Sequence, residues 1–157
     1  MLKEGDPAPP FRLAADDGHE ISLAGLRGKY VALYFYPKAS TPGCTTEAIE
    51  FREVKSEIDK LNAIILGCSA DSVEAQAKFK AKQKLNFPLL SDPDFTVIEA
   101  YGARRMKSFL GKSFLGIVRS TILIGPDGKV EKIWGTAKSK GHAAEVVEAL
   151  KLSLIHI

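Results

Sequence analysis

Seven consecutive residues, Tyr30-Val-Ala-Leu-Tyr-Phe-Tyr36, are all apolar or aromatic. The run shows neither the three-and-four spacing of a surface helix nor the alternation of a half-exposed strand. It is far shorter than the about 20 residues of a membrane-spanning helix. It reads as a central strand buried on both faces, the signature of a sheet with parallel strands. Ala63-Ile-Ile-Leu-Gly67 reads the same way. Between the two, Phe51, Val54, Ile58 and Leu61 recur at three and four and form one apolar helical stripe. Strand, helix, strand is a βαβ unit, and its crossover is expected to be right-handed.

The rest of the chain builds on that unit. Asp16-Asp17-Gly18 sits between two short apolar stretches and predicts an N-terminal hairpin. A second helix is predicted from Ser72 to Leu85, with Val73, Ala77, Ala81 and Leu85 on its stripe. A short strand follows at Pro88-Leu-Leu90, then a short helix from Asp94 to Tyr101, stopped by Gly102. Ser120–Ile124, the turn Gly125-Pro-Asp-Gly128, and Lys129–Trp134 predict a second hairpin. His142 to Lys151 closes the chain as a helix. This order is that of an α/β thioredoxin-like fold: a central mixed sheet flanked by helices, with an N-terminal hairpin. One domain is expected over residues 1–151. Residues 152–157, Leu-Ser-Leu-Ile-His-Ile, break the helical rhythm and resemble the translated end of a DNA-library adapter. They are expected to be a non-native tail; the alternative is a short apolar tail docked on the core.

Composition narrows the function. With 157 residues, 45% hydrophobic and 26% charged, the chain can bury a core and is not a disordered segment. A net charge of +3 is too small to imply nucleic acid. Lys78, Lys80, Lys82 and Lys84 spread over two faces of a predicted helix and read as solvated surface. Two cysteines exclude a disulfide scaffold, and with three histidines at unsuitable spacing they do not suggest a zinc site. Gly111-Lys-Ser113 lacks the upstream glycine of a phosphate loop, because Met106 stands there. No G-x-S-x-G elbow is present. No signal-peptide pattern opens the chain, so a soluble protein of the reducing cytoplasm is expected, with no membrane partner.

The informative segment is Pro37-Lys-Ala-Ser-Thr41-Pro42-Gly43-Cys44, between a buried strand and a helix N-terminus. Ligand sites in open α/β sheets lie beyond such strand ends. Cys44 falls in the first helical turn, where free N–H groups and the helix dipole favour an anion. An ordinary thiol of pKa about 8.5 is only ~3% ionised at pH 7, and making the thiolate dominant takes roughly 3.4 kcal/mol. A helix terminus supplies about 0.3–1 kcal/mol. A fixed cation and a hydroxyl donor are therefore required as well. Seven residues separate Cys44 from Phe51, so both share the helix face turned toward the body of the protein.

Pro37-x-x-x-Thr41-x-x-Cys44 resembles the active-site signature of the peroxiredoxins, and the string FYPKASTPGCTTEA resembles their Q-type, bacterioferritin-comigratory branch. The resemblance extends through GDPAPPF, Gly67–Ser72, Phe87–Asp92 and Arg119–Gly128, covering the chain to about Leu150. It implies a thiol peroxidase that reduces hydrogen peroxide and organic hydroperoxides. Cys44 would be the peroxidatic nucleophile. Thr41 would hydrogen-bond the thiolate and the peroxide, Arg119 would supply the cation, and Pro37 would shield the pocket. No metal or organic cofactor is implied. The electrons would come from thioredoxin or another thiol, and a monomer or weak homodimer is expected. A peroxide-sensing redox switch or a holdase on the same fold is the alternative.

The sequence departs from the family at the second cysteine. The two positions where Q-type members carry a resolving cysteine hold Ile49 and Lys80. Cys68, at the end of the second buried strand, remains as a possible resolving residue. Its simpler reading is a small buried apolar side chain. Glu47 reads as an ordinary first-turn acid that can also orient Arg119.

Overall fold

The computed structural model describes residues 2–155. Seven strands form one sheet in the order β2-β1-β5-β4-β3-β8-β9. They are β1 (Arg12–Ala15), β2 (Glu20–Ser22), β3 (Tyr30–Phe35), β4 (Ala63–Ser69), β5 (Leu89–Ser91), β8 (Ser120–Ile124) and β9 (Val130–Trp134). The remaining two, β6 (Arg104–Phe109) and β7 (Lys112–Ile117), pair only with each other. The helices are α1 (Pro42–Lys60), α2 (Val73–Gln83), α3 (Thr96–Ala100) and α4 (His142–Ile155).

The expected centre is present. Strands β3, β4 and β5 are parallel neighbours, and every residue of β3 is buried. β8 lies antiparallel against β3, with Phe35 opposite Ser120, so the sheet is mixed. That register brings the start of β8 beside the end of β3, although the two are far apart in sequence.

Because side chains alternate across a strand, β3 feeds two apolar layers. Ala32, Tyr34 and Tyr36 face a layer completed by Phe51 and Ile58 of α1, Phe79 of α2, and Val146 and Leu150 of α4. Val31, Leu33 and Phe35 face the other layer, with Cys68, Leu90, and Val97 and Ile98 of α3.

Three expectations change. The buried face of α2 centres on Gln76 and Phe79, while Ala81 is exposed. The Gln76 amide is the reason: it accepts from the Tyr36 hydroxyl at 2.6 Å and donates to Ser69 Oγ and the Leu90 carbonyl. A glutamine with that many partners is stable inside, and apolar periodicity alone does not reveal it. Next, the stretch between Gly102 and Arg119, for which the pattern predicts no element, forms the β6–β7 hairpin. Finally, α4 runs on to Ile155, with Leu152, Leu154 and Ile155 exposed rather than docked on the core. His156 and Ile157 of the expected non-native tail lie outside the described residues.

Candidate active site

The loop from Pro37 to Thr41 connects the end of β3 to the start of α1, and it is pinned from the side. Asp71 accepts from the Ala39 backbone N–H at 2.8 Å and from the Ser69 hydroxyl at 2.6 Å. Ser40 adopts φ +66°, a left-handed conformation that turns the chain into the helix. Thr41 is the N-cap residue and Pro42 opens the helix, where its missing N–H costs nothing. Cys44 then occupies the third helical position and is 1% exposed. Its packing with Phe51 in one layer is the orientation expected from their spacing.

Arg119 comes from the other side. It precedes β8, and its own carbonyl is fixed by the Ala137 N–H at 2.7 Å. Its guanidinium forks. One nitrogen, Nη2, lies 3.3 Å from Cys44 Sγ, and the other, Nη1, donates to Glu47 Oε1 at 2.7 Å. Gly43 makes room for it: a β-carbon there would lie 3.2 Å from Arg119 Nη2 and 2.8 Å from Ser139 Oγ. The absence of a side chain at Gly43 thus leaves the guanidinium its place beside the helix, a requirement that appears only in three dimensions.

Glu47 is more than an exposed first-turn acid. It is fully buried, and its Oε2 has no hydrogen-bond partner among the described residues. Burial pushes its pKa up to about 7, against the downward pull of Arg119. Burial lowers the Arg119 pKa, but Glu47 and Cys44 outweigh it and the net direction is upward. Both partners thus move up, which for Glu47 is the opposite of what a strong ion pair would give. The physical resolution is that one cation serves two acceptors: Arg119 stays charged, and Glu47 sits near its point of half-ionisation.

The other expected residues fall out differently. Thr41 is beside Cys44 in sequence order, but its hydroxyl donates to the Lys38 carbonyl at 2.7 Å, so the expected hydrogen bond to Cys44 is not made here. Pro37 is partly buried at the end of β3. Cys68 is fully buried and opposite Phe35 in the register of β3 and β4. It belongs to the apolar layer on the opposite side of the sheet from Cys44. Burial, with a smaller contribution from Asp92, drives its pKa well above the ordinary thiol value. The parallel strands end on the same edge, as expected, but the sheet itself separates the two sulfurs. Lys80, at one of the two positions where the resemblance leads one to expect a resolving cysteine, is tied to Asp16 at 3.1 Å.

His142 was not assigned chemistry from sequence, and its setting is structural. It is buried in the α1–α4 seam, with Nε2 2.7 Å from Thr121 Oγ1 and Nδ1 3.0 Å from Glu145 Oε1. Burial lowers its pKa, so the Glu145 contact is a hydrogen bond to a neutral ring at pH 7. Among the described residues no group of three His, Cys, Asp or Glu side chains is arranged to hold a metal. No described helix is long and apolar enough to cross a membrane.

The AhpC/TSA family matches residues 4–133. The chain belongs to that family. Within it, the chain is 48% identical over 149 residues to a putative peroxiredoxin bcp of Coxiella burnetii, covering 95% of this chain and 99% of that protein. It is 44% identical to peroxiredoxin Bcp of Bacillus subtilis, covering 96% of each. The bacterioferritin comigratory protein of Xanthomonas campestris, a protein with alkyl peroxide reduction activity, superposes with a TM-score of 0.88 at 41% identity, covering 98% of each chain. PrxQ of Xylella fastidiosa superposes with a TM-score of 0.93 at 35% identity, again covering 98% of each. The thioredoxin-like peroxiredoxin fold and the Bcp/PrxQ branch expected from the sequence are therefore this chain's own.

Proposed function

We propose that this peroxiredoxin is a thiol-dependent peroxidase in which Cys44 attacks the O–O bond of hydrogen peroxide or an organic hydroperoxide. The observation that carries the reading is the 3.3 Å contact between Cys44 Sγ and Arg119 Nη2 at a helix N-terminus. The cation and the helix end both lie beside the sulfur from which negative charge departs in the reaction. As the thiolate forms its bond to the terminal peroxide oxygen, the O–O bond breaks. Cys44 becomes a sulfenic acid, and the departing alkoxide takes a proton to leave as alcohol or water. Negative charge moves from sulfur to the leaving oxygen, and a guanidinium with several planar donors can serve both ends of that transfer.

Glu47 acts as a positioning residue, holding the fork of Arg119 in place. Thr41 reaches the reacting oxygen by rotating its hydroxyl away from Lys38, and Pro37 packs the rim of the site. Two equivalents of an external thiol, such as the dithiol of thioredoxin, then return Cys44 to the thiol, releasing water and forming the donor's disulfide. An outside reductant is favoured over Cys68 because a Cys44–Cys68 bond requires its Cα atoms within about 7 Å. Those two residues point into opposite layers of the sheet.

Replacement of Cys44 by Ser tests the reading. Peroxide consumption with a thiol donor is expected to fall to the uncatalysed rate, and undiminished turnover would refute it. Peptide mapping after one equivalent of peroxide is expected to show oxygen added at Cys44 and no Cys44–Cys68 link.

A further inference from the structure

The β6–β7 hairpin joins the second apolar layer only at its base, through Ile117, and its distal half projects away from both layers. Its base is held: the Val118 N–H reaches the Ala103 carbonyl, and Arg104 pairs with Glu99 at 2.7 Å. Its end is free and apolar. Leu110 at the turn is 86% exposed, Phe109 67% and Met106 64%, with Phe114 and Leu115 also exposed. The register sets Met106 opposite Leu115 on one face, while Phe109 and Phe114 share the other.

The turn is costly as built. Leu110 and Gly111 have φ +51° and +78°, the double left-handed conformation of a two-residue hairpin loop. Asparagine before glycine suits that loop; a leucine side chain there is strained and solvent-exposed at once. Charge adds a direction. Between Glu99 and Asp127 there is no acidic residue, while Arg104, Arg105, Lys107 and Lys112 lie along the hairpin. Among the described residues no carboxylate pairs with Arg105, Lys107 or Lys112.

We propose that this hairpin is a wedge that docks the protein on an anionic lipid surface. Apolar side chains on both faces and at the tip suit a medium that surrounds the hairpin; a folded partner would cover one face and leave the other wet. Met106 and Leu115 lie three residues behind the tip pair, about 10 Å at strand rise. That matches the ~5–10 Å depth of an interfacial element. Lys112, exposed opposite Phe109, can extend its stem along the apolar surface and keep its charge among the headgroups, while Lys107 donates to the Ile117 carbonyl at 2.9 Å nearer the base. Such docking departs from the expected absence of a membrane partner in needing no span, only a surface. The docking itself does not depend on the peroxidase reading. Its consequence does: β7 ends two residues before Arg119, so the wedge would bring the site to hydroperoxides carried in lipid.

The test is sedimentation of the full chain with vesicles of phosphatidylglycerol and phosphatidylcholine, or of phosphatidylcholine alone, at low and high salt. Binding to the anionic vesicles, weakened by salt, is expected. Phe109→Ser with Leu110→Asn is expected to lower it at least tenfold, while hydrogen peroxide turnover without vesicles stays unchanged. Lys112→Gln, a change at an exposed residue, is expected to lower it about twofold and flatten its salt dependence. Absence of wild-type binding at low salt, or equal binding by both variants, overturns the proposal. So does a wild-type dimer in light scattering that the Phe109–Leu110 variant dissociates, because the wedge would then be covered by a second copy. Wild-type protein that binds the vesicles but consumes no peroxide with a thiol donor would speak against the peroxidase reading alone.

Discussion

Cys44 and Cys68 are both buried, one in α1 just after β3 and the other in β4 beside it. They differ in what surrounds the sulfur. Cys44 lies in the first turn of α1 with the Arg119 guanidinium 3.3 Å away. Cys68 lies in β4 among apolar side chains, with the carboxylate of Asp92 as its nearest charged influence and its thiol pushed toward the protonated form. Burial strengthens whatever electrostatic partner is present and penalises a charge that has none. The same exclusion of water therefore acts on a sulfur that has a cation beside it in one case and on a sulfur packed in the core in the other.

The largest effect that follows is in reactivity. At pH 7 a small alkylating agent is expected to modify Cys44 at least ~10³-fold faster than Cys68 in the folded protein. Comparable rates, read by peptide mapping over time, would erase the contrast. Removing the cation sharpens the cause. Arg119→Met, made together with Glu47→Gln so that no carboxylate is left buried alone, is expected to slow peroxide reduction by about 10²–10³. Arg119→Lys is expected to recover part of that loss, because a point charge replaces the fork.

Glu47 tests the electrostatics through stability. Its pKa rises from 4.5 to about 7 on folding, so the folded state holds the proton more tightly. The stability this group contributes is complete below 4.5 and is lost as pH rises through about 7. Denaturation of the wild type relative to Glu47→Gln is expected to reveal up to roughly 3 kcal/mol of that loss between pH 5 and pH 8. A difference that does not vary with pH would show that Arg119 fully compensates the buried carboxylate. The smallest effect is expected at the other sulfur. Cys68→Ala should leave turnover within about twofold and lower stability by about 1 kcal/mol, the cost of a small cavity.

Much of the fold is legible from local pattern. A seven-residue apolar run has few places to go except the middle of a sheet, and the stripe of Phe51 and Ile58 orients the helix that follows. Cys44 was legible because proline, glycine and threonine at fixed spacing describe a strand-to-helix turn. The buried face of α2 was not, because Gln76 is hidden by its hydrogen bonds rather than by its hydropathy. The contact of Glu47 with Arg119 agrees with one of its two readings, but its complete burial is not visible in the pattern, because a charged residue gives no hydropathy signal of being inside.

By itself the sequence determined the central strands and the helix that begins near Cys44, since these depend on short-range periodicity and turn geometry, while the chemistry expected of that loop came from its resemblance to the peroxiredoxin signature. Tertiary structure alone decided that Arg119 meets Cys44 across the antiparallel β3–β8 pair, and that Cys68 faces the opposite layer. It also decided that Met106, Phe109 and Leu110 stand in solvent. Each of those outcomes depends on strand register and on which face of a sheet a side chain takes, and a shift of one residue reverses it.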